Sequence, residues 1–141
     1  MKPSSVRGQS KYQLSYRIPQ ALLAMLWLSG ALGSILRSNG SMEVFHRLGY
    51  PDYFASMLGA AQLLAVGAIL LPVPVVLREW AYAGLAFDSA AAITSLLATH
   101  SSLPQLIFPL TAFALVIVTY RSWKMTLNTG ARQSTPPLLP A

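Results

Sequence analysis

Four apolar runs, joined by short polar or proline-containing connections, constrain this chain more than any other feature; they lie at about residues 18–36, 53–71, 80–99 and 105–123. A run of roughly 20 apolar residues is long enough for an α-helix to cross the hydrocarbon core of a bilayer. Only 10% of the residues are charged, well below the ~25% usual in soluble domains. The expected fold is therefore all-α: a four-helix transmembrane antiparallel bundle over residues 18–124. It is flanked by a basic polar N-terminal tail at 1–17 and a disordered Pro-rich tail at 125–141.

The formal charge of +6 does not point to nucleic acid, because the basic residues are spread along the ends of the apolar runs and form no patch. They read instead as topology determinants. With the N-terminus inside, Lys2, Arg7, Lys11, Arg17, Arg78, Arg121, Lys124 and Arg132 fall on the inner side, leaving Arg37 and Arg47 outside. Eight bases against two predict that both termini are cytoplasmic. Arg78, Glu79, Trp80, Arg121, Trp123 and Lys124 then serve as interfacial anchors. A cleaved signal peptide is the competing reading of the first run, since Ala31, Leu32 and Gly33 resemble a cleavage site. The long basic segment before the run and the three apolar runs after it favour an uncleaved helix.

The connections carry their own signals. Pro19 suits a first helical turn. Met42, Phe45 and Leu48 recur at three-residue spacing before Gly49, which predicts a short helix in the first outer loop, ending on a glycine C′. It either lies in the interface or covers a cavity. Pro72 and Pro74 close the second span, and Pro109 predicts a kink in the fourth.

Asp88 sits near the middle of the third run. An acid at that depth costs about 2.5–3.5 kcal/mol on insertion scales and so needs a partner or a task. Ala81, Gly84, Ala91, Ala92 and Ser95 share its helical face, and such a small-residue stripe turns Asp88 toward the bundle. Gln62 is its expected partner. At ~1.5 Å per residue the two lie ~13 Å and ~12 Å from opposite boundaries, so across a ~30 Å core their heights differ by only ~5 Å.

The other candidates are weaker. Trp27, Gly30, Gly59, Tyr82, Gly84 and Ser95 could line a pocket, although packing is the plainer role for the first-helix set. His46 and His100 fall in the outer connections without a ligand motif, so no metal site is expected. The absence of cysteine excludes disulfides and thiolate chemistry. No catalytic constellation is recognisable.

Several phrases occur together and in order: Arg47-Leu48-Gly49-Tyr50-Pro51, Leu58-Gly59, Leu70-Leu71-Pro72, Glu79-Trp80-Ala81-Tyr82-Ala83-Gly84 and Phe87-Asp88. Over residues 20–123 the chain resembles the DoxX-like family of small four-helix membrane proteins. That family is named from a subunit linked to a thiosulfate:quinone oxidoreductase, and other relatives act in membrane redox systems or as assembly factors. The resemblance implies a bacterial inner-membrane location but transfers no activity. Gly30 and Gly33, Gln62, and Ser95-Leu96 stand where the family pattern leads one to expect a lysine, a glutamate and a Ser-His pair, while Asp88 is kept.

Three functions are compatible with these residues. The neutral replacements favour a non-catalytic subunit or assembly factor, working with a membrane partner or as a homo-oligomer. Asp88, Gln62, Trp27 and Tyr82 could instead hold a quinone or other apolar ligand. Small multidrug-resistance exporters depend on a first-helix acid, and none lies in residues 18–36, so a small proton-coupled transporter would have to rest on Asp88 alone.

Overall fold

The computed structural model describes residues 5–133, with side chains over 16–128. The described residues form five helices and no strand: α1 (Ser5–Ile35), α2 (Asn39–Arg47), α3 (Asp52–Leu70), α4 (Val75–Ala98) and α5 (Leu103–Gln133). All but α2 are long and apolar enough to cross a membrane.

The outer helices run further than the apolar pattern predicts. Residues 5–17 and 125–133, expected as tails, are helical. Neither stretch holds a proline and each holds one glycine, so nothing strong stops the helix from propagating. Pro19 consequently lies inside α1 and not in its first turn. The remaining tail residues, 1–4 and 134–141, fall outside the described residues. α4 also begins earlier than expected, directly after Pro74, which brings Arg78 and Glu79 into the helix.

Three helices end in the same left-handed turn. After α1, Arg37 adopts φ 51° and Ser38 N donates to Gly33 O at 2.9 Å. After α2, Gly49 adopts φ 79°, with Tyr50 N donating to Phe45 O at 2.9 Å and Gly49 N to His46 O at 3.0 Å. After α4, His100 adopts φ 50°, with Ser101 N donating to Leu96 O and His100 N to Leu97 O. These are Schellman-type caps that satisfy otherwise orphaned carbonyls. α3 ends differently, because Leu71 is held extended ahead of Pro72.

In the bundle, α1 packs on α3 and α5, α4 packs on the same two helices, and α2 rests against α1 and α3. The contact between α1 and α3 is close. A Cβ placed on Gly59 would stand 2.9 Å from the Ala31 carbonyl oxygen and 2.8 Å from Ile35 Cγ1. Leu23, Trp27, Val66, Tyr82, Leu85 and Val116 belong to one buried core drawn from the four long helices. Large apolar side chains also cover the outside, with Leu64 76% and Phe87 77% exposed. A soluble bundle would bury such residues, whereas lipid solvates them.

Candidate functional site

Asp88 gathers the polar groups of the bundle. Its Oδ2 accepts Gln62 Nε2–H at 2.7 Å and Trp27 Nε1–H at 3.2 Å, from α3 and α1 respectively. The small residues of α4 permit this approach, and Gly30 leaves room on α1: a Cβ there would stand 3.9 Å from Gln62 Oε1. That amide oxygen is buried and has no hydrogen-bond partner among the described residues. No basic side chain pairs with Asp88 in that set either.

These residues border a cavity of about 830 Å³ lined from all five helices. Most of its wall is apolar. Phe87 on α4 and Phe108 on α5 line it while remaining exposed, so they mark its rim. α2 supplies another part of the wall, including Val44 and Phe45, with Glu43 and Arg47. The last two pair with each other at 3.1 Å.

An aromatic group holds α2 in place. Tyr50 and Phe54 stack with centroids 4.6 Å apart, and Phe45 meets both rings edge-on at 6.2 Å. Tyr50 OH shares a hydrogen bond of 2.8 Å with Ser95 Oγ on α4. His46 Nε2 lies 2.7 Å from Asp52 Oδ1, joining the end of α2 to the start of α3. In the sequence, His46 falls in an outer connection without a ligand motif, and Tyr50 carries no sign of a role in the site. The turn at Gly49 is legible locally, but the meeting of Tyr50 with Ser95 on α4 is a tertiary contact that no local pattern marks.

Of the candidate lining residues, Trp27, Gly30, Gly84 and Ser95 border the cavity. Gly59 does not, because it is spent on the contact between α1 and α3. Tyr82 does not either: it is buried with Trp123, centroids 5.7 Å apart, and Tyr120 at 5.5 Å. Trp123, expected as an interfacial anchor, is only 3% exposed and belongs to the core. Its faces attract cations, with Arg78 5.5 Å and Lys124 5.6 Å from the ring. Arg78 donates to Leu71 O at 2.6 Å, and Lys124 pairs with Glu79. Trp80 and Arg121 remain exposed. Among the described residues, no group of three His, Cys, Asp or Glu side chains could hold a metal ion.

Residues 18–119 match the family model described as the DoxX-like family. No curated protein and no solved structure matches the chain.

Proposed function

Since this chain belongs to the DoxX-like family and has four helices fit to span a membrane, we propose that it is a membrane-embedded binding protein for a small, mainly apolar molecule. The cavity carries this reading. Its volume of about 830 Å³ lies within the ~300–1,000 Å³ of small-molecule sites, which are largely apolar with a few convergent polar groups. Here the polar focus is Asp88 with Gln62 and Trp27. The exposed apolar rim at Phe87 and Phe108 gives a molecule dissolved in lipid a route to it.

The proposal includes a topology. The four spanning helices alternate in direction, with both termini cytoplasmic and α2 on the outer side, in a bacterial inner membrane. The distribution of basic residues supports this orientation. α2 then acts as the outer wall of the cavity, held at the interface by Tyr50.

Native mass spectrometry of the protein extracted in mild detergent tests the reading. A Cβ on Gly84 meets nothing within 4 Å, so Gly84→Phe fills cavity space without a backbone clash. A stoichiometric small-molecule adduct, lost in Gly84→Phe, is the expected result. A co-extracted protein without any adduct would overturn it in favour of the subunit or assembly-factor role.

A further inference from the structure

The hydrogen bonds around Asp88 bear on what kind of polar group the cavity accepts. Both N–H groups that reach Asp88 end on the same oxygen, Oδ2. Trp27 has no other polar hydrogen on its side chain. The carboxyl group also fixes the Gln62 amide: Nε2 must face it to donate, which turns Oε1 away. That oxygen is buried and unpartnered, and no hydrogen bond reaches Asp88 Oδ1 among the described residues. Of the hydroxyls nearby, Ser89 donates to Leu85 O, and Ser95 and Tyr50 share one hydrogen bond. At the polar focus two acceptors remain unmet, Asp88 Oδ1 and Gln62 Oε1, beside the second N–H of the Gln62 amide.

Charge adds a second constraint. Glu43, Arg47 and Asp88 are the charged residues on the wall, and the first two neutralise each other. Asp88 is left as a part-buried acid without a basic partner in a mostly apolar space. An incoming cation would supply that partner through a charge-assisted hydrogen bond.

We infer that the ligand is an organic cation, an ammonium group on an apolar body, whose N–H donates to Asp88 Oδ1 and Gln62 Oε1. This inference rests on the ligand-binding reading above. A quinone is poorly matched, because its carbonyls have no hydrogen to offer Asp88 Oδ1 or Gln62 Oε1 and no charge to set against the acid. Both a free lipophilic amine and the headgroup of an aminophospholipid carry the required group.

The test is equilibrium binding of 1-decylamine, 1-decanol and menadione to the full chain in phosphatidylcholine nanodiscs at neutral pH. Gly84→Phe measures partition into the lipid, which is subtracted. The amine is expected to bind about tenfold tighter than the alcohol, as a charge-assisted contact would give. In Asp88→Asn that preference should fall to about one, with alcohol binding kept. If Asp88→Asn does not fold, the comparison in the unsubstituted protein decides.

Alcohol or menadione binding as tightly as the amine, and blocked by Gly84→Phe, would overturn the cation inference and keep the cavity reading. If Gly84→Phe changes the uptake of no probe, both fall. Phosphatidylethanolamine doped into the discs separates the sources. Displacement of the bound amine assigns the cation to the lipid headgroup, and undisturbed binding assigns it to a free amine.

Discussion

Gln62 and Asp88, 26 residues apart in the chain, meet at 2.7 Å on facing helices, with the amide as donor and the carboxyl as acceptor. The same oxygen takes the indole N–H of Trp27, so one side chain of α4 ties down both α1 and α3.

Replacing Asp88 separates the bond from its charge. In Asp88→Asn the Gln62 amide can turn so that its oxygen accepts the new N–H, and the loss of stability should stay near ~1 kcal/mol. Asp88→Ala leaves the Trp27 and Gln62 donors buried without an acceptor, at ~1–3 kcal/mol for each group. Unfolding in mixed micelles is the measurement. Equal stability of the two variants would show that the carboxyl does not hold the helices together.

Two glycines should respond oppositely to one methyl group. At Gly59 the added carbon meets the Ala31 backbone at 2.9 Å, whereas at Gly84 it meets nothing within 4 Å. Gly59→Ala should therefore destabilise the bundle by ~1–3 kcal/mol, the usual cost of overpacking. Gly84→Ala should leave its stability intact or raised. The same unfolding assay ranks them, and a tolerated Gly59→Ala would mean that α1 and α3 can slide apart cheaply.

The hold on α2 can be loosened alone. Tyr50→Phe removes the bond to Ser95 but keeps the stacked ring on Phe54. Amide hydrogen exchange in α2 should quicken by about a factor of 2–10, matching the ~0.5–1.5 kcal/mol of one hydrogen bond. Exchange in α3 and α4 should not change. An unaltered α2 would assign its placement to the aromatic contacts.

The chain contains no cysteine, so single introduced thiols report topology without background. Asn39→Cys should react with a membrane-impermeant maleimide added to intact cells, and Val73→Cys only after the membrane is opened. The reverse pattern would invert the proposed orientation.

Much of the architecture was legible because lipid imposes a coarse code. Apolar runs of adequate length specify spanning helices, and prolines such as Pro72 and Pro74 mark a boundary. Gly49 marked the end of α2 for a similarly local reason. Asp88 stood out because an acid inside an apolar run has few explanations, and Gln62 followed from depth alone. Other assignments could not be read this way. Gly59 and Gly84 look alike in a small-residue stripe, yet one touches a helix and the other a cavity; that depends on rotation about the helix axis. Trp123 beside Lys124 reads as an anchor until Tyr82 and Tyr120 are seen to enclose it. Arg37 and His100, both in left-handed turns, gave no sign of it because neither is the glycine such a turn prefers.

The turns on either side of α2 have a mechanical consequence. Gly33 receives the bond that closes the turn before α2, Phe45 receives the one after it, and Tyr50 reaches across to α4. The wall that α2 gives the cavity is thereby fastened to the bundle. When a bilayer thins or thickens, spanning helices adapt by tilting, and a wall fastened in this way tilts with them. The room inside should thus be nearly independent of lipid chain length, so the protein could serve membranes of differing thickness with one internal shape.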